Sequence, residues 1–574
     1  MSEQNQHSAY DTIVIGSGSG GLCSAIALAR AGQKVLVLEQ HYVPGGWCHS
    51  FNMNGQKFSP GVHYVGQMQE GGTARALYEG LGISKDLVFF KTVHKGFEHA
   101  RLPNAQFDYP SNWDEFREDL IKQFPHEEKG IRKYLKVLSA VEVKIIALSE
   151  AQSLWDRIKI IASSWTLVKY AMRTLEDVVD RFITDSDLKA ILMIQSGDHG
   201  VVPEKASFAY HSGVMGHYQD GGYFPMGGGG GLTKAMTNTL KRFDGEIRTN
   251  TAVKQILVEK KTVRGVELMD GQKIFAKNVI SNADPHVTFE QLMDVTIMSP
   301  KFQKWLNELD YSVSSLMGFV TLDMDVREKG IDSGNYWMFT DSDLNKSMQY
   351  TGLDEVLKDD KFDGVFISSS TLKDPASQDG RYVNFELVTF MPDGVFGSML
   401  NTASDDPEYL RFKQRVVEKF MNNLEELIPG AKESVVQFEL GTPRTNKFYV
   451  NSTRGNSYGT EKVFEQIGSK AIGPDTEIKN LYVCGACTMS HGVVGAANSG
   501  LLAAAKVLGC KKKDLLKPVK GEELTVIDAE DSSSWPNWLK EKIAVRQRRV
   551  KEIEDLDFLV HIDPYHARLE TESA

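Results

Sequence analysis

The sequence predicts an α/β protein in which a Rossmann-like dinucleotide-binding domain carries an inserted α+β domain. Two glycine-rich turns predict the first domain, because each lies between a short apolar strand and a helix, one near each end of the chain. The long stretches between these turns predict the inserted domain, because their apolar residues recur at helical or at strand spacing.

The first glycine-rich turn follows residues 12–15, a β-branched run typical of a buried parallel strand. Gly16 permits a tight turn, and Gly18 lacks the Cβ that would keep a pyrophosphate away from the backbone. Gly21 allows close packing of the helix that begins near Ser19, and the N-terminus of that helix offers free N–H groups to phosphates. This spacing predicts a nucleotide-binding turn.

A second strand, residues 34–38, ends at Glu39, about 20 residues beyond the glycines, where a carboxylate can hold the hydroxyls of a ribose. A carboxylate disfavours a 2′-phosphate, so we expect FAD or NAD(H) rather than NADP(H). The continuation through Gln40 to the pair Gly45 and Gly46 resembles the long dinucleotide motif of FAD-dependent amine oxidases and phytoene desaturases. The resemblance implies a loop that carries the FAD diphosphate toward the isoalloxazine.

The second glycine-rich unit, residues 480–508, is predicted to form a strand, a turn at Gly485 and a helix that contains Gly495. Units at opposite ends of the chain suit one extended cofactor better than a single NAD module. FAD is therefore the predicted cofactor. Because the sequence carries no second Rossmann motif, NAD(P)H or a quinone would serve as a transient electron partner.

Five sequence blocks resemble retinol saturases, carotenoid isomerases and phytoene desaturases. They are residues 37–51, 58–66, 208–228, 279–284 and 441–459. The resemblance covers most of the chain and implies an FAD-binding fold of the amine oxidase and phytoene desaturase type. The chain departs from this family at Met226, where saturases often carry arginine, and at Trp47, where small residues are common. Both departures leave the identity of the substrate open.

The dinucleotide-binding domain is predicted to be discontinuous, because its two glycine-rich units lie far apart. The predicted domains are an FAD-binding domain (residues 1–105, 220–292 and 436–512), a substrate-binding domain (residues 106–219 and 293–435) and a C-terminal extension (residues 513–574). Val253 lies in a predicted hairpin whose backbone, by resemblance, contacts the adenine; an ordinary strand valine is the alternative.

Residues 153–172 are predicted to form one helix, because their apolar residues recur at helical spacing. Residues 143–172 combine apolar and basic side chains. This composition suits a helix that lies on a membrane, and it equally suits a buried helix pair that lines the substrate-binding domain. The acidic C-terminal extension would pack on the rest of the chain, or it would dock on a partner or a membrane. No stretch of about 18 apolar residues predicts a membrane span, and the polar N-terminus predicts no signal peptide. We expect a cytoplasmic or organelle-lumen location, with peripheral membrane contact as an alternative.

Composition excludes some classes of function. With 574 residues the chain is long enough for two domains, and a net charge of −11 argues against a nucleic-acid partner. Five cysteines predict no disulfide framework and a reducing compartment. Cys484 and Cys487 form a CxxC motif without the second pair that a zinc site needs, so no metal is predicted. A redox dithiol and small packing residues remain alternatives for this motif.

His63, Tyr64 and His491 are the candidate catalytic residues. Flavin chemistry on a carbon–carbon double bond transfers a hydride between N5 and a carbon, and the protein can supply one proton. The resemblance places His63 and Tyr64 near the isoalloxazine, whereas His491 lies between the second strand and its helix. Histidine exchanges a proton near neutral pH, although a structural hydrogen bond is the alternative for each.

The predicted function is that of an FAD-dependent oxidoreductase that saturates or desaturates double bonds of a retinoid, a carotenoid or an isoprenoid-like polyene lipid. A redox-neutral cis–trans isomerase of carotenoids is the first alternative. A non-catalytic escort of prenyl or lipid groups with the same fold is the second, and such a protein would tolerate eroded flavin motifs. An amine oxidase is the third, but the sequence does not identify the aromatic pair that often frames the flavin in those enzymes.

Overall fold

The computed structural model describes residues 9–150 and 154–554. The strands in these ranges are β1 (Tyr10–Ile15), β2 (Val35–Leu38), β3 (Phe51–Met53), β4 (Gln56–Phe58), β5 (Val88–Lys91), β6 (Lys95–Arg101), β7 (Gln106–Pro110), β8 (Tyr223–Pro225), β9 (Glu246–Arg248), β10 (Val253–Glu259), β11 (Thr262–Leu268), β12 (Lys273–Ser281), β13 (Ser314–Asp323), β14 (Asn335–Phe339), β15 (Gly364–Ser368), β16 (Tyr382–Met391), β17 (Val435–Gly441), β18 (Leu481–Val483) and β19 (Thr525–Asp528). The α-helices are α1 (Ser19–Arg30), α2 (Thr73–Gly80), α3 (Trp113–Gln123), α4 (Glu128–Glu150), α5 (Leu154–Ala162), α6 (Trp165–Tyr170), α7 (Leu175–Asp180), α8 (Ser186–Met193), α9 (Phe208–His217), α10 (Gly228–Arg242), α11 (Pro300–Asn307), α12 (Leu353–Lys358), α13 (Ser370–Lys373), α14 (Pro407–Leu427), α15 (Pro443–Val450), α16 (Gly492–Leu508) and α17 (Asn537–Glu554).

The first sheet is parallel around β1. Its parallel strands lie in the order β18, β12, β1, β2 and β9, and β10 and β11 extend the first half of β12 in antiparallel pairing. Gly16, Glu39, Asn282 and Cys484 directly follow β1, β2, β12 and β18. Because the carboxyl ends of parallel strands meet at one edge of a sheet, these four residues come together there. The arrangement confirms the predicted Rossmann-like α/β fold.

The second sheet is mixed and builds the other half of the molecule. Its strands lie in the order β17, β13, β16, β15, β14, β6 and β7. Alternate residues of β13 face two different cores, since Leu316 and Val320 pack with residues of α14 and Met317 and Phe319 pack with the helical residues of the 113–217 region. Nine of the ten residues of β13 are buried, so both faces of this sheet are covered.

The second sheet reaches past the limits predicted for the inserted domain at residues 105 and 436. β6 pairs in parallel with β14, so that Glu98 lies opposite Asn335, and β17 pairs with β13. The pairing of strands so far apart in the chain leaves no local signal in the sequence. The domain boundaries therefore stay a prediction.

Most of residues 113–217 is helical, but the helix predicted over residues 153–172 is divided. α5 ends at Ala162, and α6 begins at Trp165 because the Ser164 side chain accepts a hydrogen bond of 3.2 Å from Leu167 N. Ser153, where the helix was predicted to begin, lies outside the described residues.

The C-terminal extension packs on the rest of the chain. β19 pairs in parallel with β5, and an apolar cluster joins Ile527, Leu539 and Ile543 to Phe90. These contacts favour the packing alternative for this segment. Residues 555–574 lie outside the described part of the chain.

Within the part of the chain that the structure describes, every helix is too short or too polar to cross a bilayer. The five cysteines are all free thiols.

Candidate functional site

One cavity of about 700 Å³ is lined by both halves of the molecule. Its nucleotide end contains most of the residues predicted to bind a cofactor: Gly16, Gly18, Glu39, Gln40, Gly45, Gly46, Val253 and Gly485. Its other end, the aromatic chamber, is lined by Trp47, His63, Tyr64, Tyr218, Met317, Trp337, Phe366, Val388, Phe390 and Tyr458. The structure therefore brings residues from both ends of the sequence to one continuous space.

Two helix N-termini face the nucleotide end. α1 begins after Gly18 and α16 begins after His491, and among the described residues neither terminus is capped by a side chain. The Ser19 hydroxyl donates a hydrogen bond of 2.8 Å to Val493 O, which holds the two termini side by side. Uncapped N–H groups and the positive ends of two helix dipoles make this part of the cavity suitable for a diphosphate.

Glu39 is held in place by backbone N–H groups of the surrounding loops. Its Oε2 accepts a hydrogen bond of 2.9 Å from Ser17 N, and its Oε1 accepts one of 2.9 Å from His41 N. The side chain is buried but lines the cavity. A carboxylate has about four acceptor positions, so Glu39 keeps acceptor capacity for ribose hydroxyls.

Two glycines of the first turn lie in close quarters, Gly18 against a side chain and Gly21 against the backbone. A Cβ on Gly18 would lie 2.7 Å from Asn282 Nδ2, and a Cβ on Gly21 would lie 2.1 Å from Gly16 O. Gly21 does not line the cavity; it lets α1 pack against the turn that does. Gly495 also lies outside the lining, in the first turn of α16 beside Ser490.

Asn282 is a cavity residue to which the sequence assigned no role. Its side chain lies beside the first glycine-rich turn, and its Oδ1 accepts a hydrogen bond of 3.4 Å from Cys484 Sγ. It therefore links the two glycine-rich units. The available signal was its place within the block of residues 279–284, two residues beyond the apolar pair at 279–280, because side chains at the carboxyl ends of parallel strands line such sites.

The chamber is aromatic, and four of its rings form two contacting pairs. The Tyr64 and Tyr218 rings stack at 4.2 Å between centroids, and the Trp337 and Phe366 rings lie 4.7 Å apart. The stacked tyrosines leave no gap between their rings. Most of the remaining wall is formed by aliphatic and aromatic side chains such as Val388, but the lining also includes Asp198. A largely apolar chamber of this kind suits an apolar ligand.

The comparisons with known proteins agree with this geometry. Residues 19–508 match the family described as flavin containing amine oxidoreductase. The chain belongs to this flavoenzyme family. It is 28% identical over 527 residues to all-trans-retinol 13,14-reductase of Danio rerio, covering 87% of this chain and 86% of that protein. It is 28% identical over 529 residues to the chloroplastic prolycopene isomerase 1 of an Oncidium hybrid cultivar, covering 88% and 85%.

The solved structures that are similar to this flavoenzyme show the same fold. Putrescine oxidase bound to putrescine superposes with a TM-score of 0.59 at 14% identity, covering 87% of this chain and 99% of that one. These findings confirm an FAD-binding fold of the amine oxidase type. The two relatives above confirm the predicted resemblance to retinol saturases and carotenoid isomerases.

The residues at the nucleotide end fit FAD, the cofactor that this family implies. The uncapped N-termini of α1 and α16 suit its diphosphate, and Glu39 suits a ribose without a 2′-phosphate. The cavity continues from these groups into the aromatic chamber, so the two ends share one space.

A carboxyl group lies at the wall of the chamber in this flavoenzyme, and the sequence did not reveal it. The Tyr64 hydroxyl donates a hydrogen bond of 2.7 Å to Asp198 Oδ2. Burial raises the pKa of Asp198 to about 7, although the bond from Tyr64 lowers it. Burial and the nearby Asp198 also raise the pKa of Glu98, which accepts a hydrogen bond of 2.8 Å from Trp337 Nε1. Protonated carboxyls therefore persist here near neutral pH.

A buried lysine supports the same wall. Lys373 Nζ donates to His63 O at 2.9 Å and to Ser368 Oγ at 2.6 Å, and it also contacts Asn335 Oδ1. Burial lowers the pKa of Lys373, whereas the nearby acidic side chains of Glu386 and Glu98 raise it. The lysine thus fixes the backbone of the segment that carries His63 and Tyr64.

The two candidate histidines are neutral. Burial lowers the pKa of His63 to about 3, with Lys373 adding to the effect, and burial lowers the pKa of His491 to about 3, with Lys462 adding to it. His63 lines the chamber, whereas His491 lies outside the lining and packs 5.0 Å from the Tyr458 ring. Neutral imidazoles do not donate a proton readily near pH 7, so Asp198 suits that task better than either histidine.

The CxxC motif lies beside the nucleotide end, with Cys484 buried and Cys487 partly buried. Burial raises the pKa of Cys484 and, together with the carboxylate of Asp284, the pKa of Cys487. A redox dithiol needs a lowered pKa, so the structure favours the small-packing alternative. In residues 9–150 and 154–554, no group of three or more His, Cys, Asp or Glu side chains could hold a metal ion.

Proposed function

We propose that this protein is an FAD-dependent oxidoreductase that acts on the carbon–carbon double bonds of a long apolar polyene of the retinoid or carotenoid type. The observation that carries this proposal is the single cavity in which the nucleotide end opens into an aromatic chamber. A retinol reductase and a prolycopene isomerase among the relatives support the choice of a polyene.

In this proposal the nucleotide end binds the cofactor. Glu39 holds a ribose, the turn at Gly16 and Gly18 with the N-terminus of α1 binds the diphosphate, and the loop at Gly45 and Gly46 lies along it. Gln40 and the backbone of Val253 line the adenine side, and Gly485 lies on the side of the isoalloxazine, by resemblance to related flavoproteins. Gly21 and Gly495 act indirectly, through the packing of their helices.

FAD supplies hydride transfer to or from a carbon when it is bound. The tasks left to the chain are to orient the double bond, exclude water and hold a proton. The aromatic walls perform the first two tasks, and Asp198 with Tyr64 is the group placed to hold the proton. His63 positions the chamber wall through its contact with Phe366. NAD(P)H or a quinone is the proposed transient electron partner.

A redox-neutral cis–trans isomerase is the second candidate. The prolycopene isomerase relative supports it, since its identity to this chain equals that of the retinol reductase. The two candidates share the cofactor and the chamber. They differ in whether the polyene gains or loses hydrogen. The intact nucleotide end argues against a non-catalytic escort, for which no FAD site is needed.

Anaerobic incubation of the purified flavoprotein with a panel of polyenes tests the proposal. The panel contains all-trans-retinol, a linear carotene and its cis isomer, each with chemically reduced and with oxidised flavin. Mass spectrometry of the extracted lipids would show a gain or loss of one pair of hydrogen atoms for a saturase or desaturase. An unchanged mass with a shifted absorption spectrum would identify an isomerase. Unaltered lipids throughout would contradict the proposal.

A further inference from the structure

Apolar side chains are concentrated on one surface formed by the end of α4 and by α5 and α6. We refer to it as the α5–α6 surface. It consists of Val143, Trp155, Ile158, Ile161, Trp165, Val168 and Met172. The tryptophans are the most exposed, since Trp155 is 71% and Trp165 is 78% accessible. Soluble proteins rarely leave large apolar groups clustered in water, so such a surface indicates an interaction site.

The α6 part of the α5–α6 surface is anchored from beneath. Leu167 and Tyr170 of α6 are buried in the same apolar core as Trp337 and Phe390 of the aromatic chamber. Trp165 and Val168, by contrast, lie three residues apart on α6 and are exposed, as is Met172 just beyond the end of the helix. α6 therefore presents its exposed side chains from the core around the chamber, whereas every described residue of α5 is at least partly exposed.

Basic residues accompany these apolar side chains. They are Lys144, Arg157, Lys159, Lys169 and Arg173, against Asp156 in residues 143–148 and 155–173. Glu142 and Glu150 adjoin this stretch, and Arg173 lies 3.7 Å from the carboxylate of Asp177. Arg157, Lys159 and Lys169 are exposed. The whole chain carries a net charge of −11, so this local excess of positive charge opposes the general balance.

We propose that the α5–α6 surface docks on an anionic lipid bilayer. Tryptophan and aliphatic side chains enter the boundary between headgroups and acyl chains, where amphipathic rings are favoured. Lysine and arginine around them attract the negative surface of the bilayer. A second copy of the chain fits this surface less well, because a symmetric contact would bring the basic residues of both copies together.

This docking is separate from the proposed activity, because vesicle binding is measured without any polyene. The purified holoprotein is sedimented with vesicles of phosphatidylcholine alone and with vesicles that also contain phosphatidylserine. We expect binding to be about tenfold stronger to the phosphatidylserine vesicles and to weaken with added salt. The Trp155→Ser/Trp165→Ser variant should lose about tenfold or more of this binding.

Trp538→Ser is the matched control, because Trp538 is a partly exposed tryptophan on α17, outside the α5–α6 surface. It should bind vesicles as the unaltered protein does, and an unchanged thermal midpoint in all variants would confirm that they fold. Failure of the unaltered protein to bind either vesicle would overturn the proposal. The proposal would also be overturned if the double tryptophan variant bound vesicles as strongly as the unaltered protein does. It would be overturned as well if the unaltered protein were a dimer and this variant a monomer.

Discussion

Asp198 is the residue whose protonation matters most for the proposed chemistry. Burial raises its pKa to about 7, so the carboxyl is protonated below that pH and ionised above it. If it donates the proton, the rate of polyene reduction falls as the pH rises through about 7. Asp198→Asn cannot release a proton, and we expect it to lower kcat by about 100-fold or more and to abolish this alkaline limb.

Tyr64→Phe is the matched variant for this measurement. The Tyr64 hydroxyl donates to Asp198 and thereby lowers the pKa of that carboxyl, so its removal should move the alkaline limb of kcat to higher pH. If Tyr64 had only a structural role, the variant would change kcat without moving the alkaline limb of the pH profile. An Asp198→Asn enzyme with the pH profile of the unaltered protein would show that another group holds the proton.

Stability should depend on Asp198 as well, independently of turnover. The folded pKa of Asp198 is raised above the ordinary value of 3.8, so its contribution to stability is present below that value and is lost as the pH rises through about 7. We therefore expect Asp198→Asn to gain stability relative to the unaltered protein at pH above about 7, and not below about 4. Urea unfolding at several pH values measures this difference.

The sequence revealed the residues whose role depends on local geometry, but not the buried charges. Gly18 and Glu39 are recognisable because their function follows from their place in one turn. Asp198, Glu98 and Lys373 come from separate segments and meet only in the folded chain. Charged residues are ordinarily exposed, so nothing in their neighbours marks these as buried.

At the scale of the element, the packing of α1 against the first glycine-rich turn is the contact that forms the nucleotide end. A Cβ at residue 21 would lie 2.1 Å from Gly16 O, so Gly21→Ala must displace either the helix or the turn. We expect this variant to lose about 1–3 kcal/mol of stability and to retain less FAD after purification. The amount of FAD released per chain on denaturation measures the loss.

Gly213→Ala is the control, because Gly213 lies within α9 and a Cβ there meets no atom within 4 Å. Alanine favours a helix over glycine, so this variant should keep its FAD and its stability. Equal FAD content in the Gly21 and Gly213 variants would mean that the close contact at Gly21 does not matter for the site.

The elements near the glycine-rich turns were predicted well, because apolar runs and turn glycines act locally. β1, α1 and β2 lie where the sequence placed them. The division between α5 and α6 was not predicted. Serine favours helix ends but is also tolerated inside a helix, so Ser164 alone does not mark a break. Whether such a serine caps a new helix depends on the packing of Leu167 beneath it.

At the scale of the whole molecule, the C-terminal extension stabilises both halves. Leu539 is fully buried between α17 and the strand β5, whereas its neighbour Trp538 is 42% exposed. Leu539→Ala should cost about 2–4 kcal/mol of unfolding free energy, and Trp538→Ala should cost much less. Similar unfolding curves for the two variants would show that the extension is not part of the cooperative fold.

The sequence could not predict which strands make up the second sheet. β6 and β17 join strands more distant in the chain, and the pairing of Glu98 with Asn335 is set by the folded topology alone. The discontinuous arrangement was predictable because the glycine-rich units lie at opposite ends. The limits of each segment were not.

The most direct test of the central claim is an anaerobic titration of the holoprotein with a polyene, followed by the absorption spectrum of the bound flavin. A flavin in the nucleotide end and a polyene in the aromatic chamber share one cavity, so the account predicts a saturable change in the flavin bands. A protein that is purified without flavin, or a flavin spectrum that every polyene leaves unchanged, would contradict it.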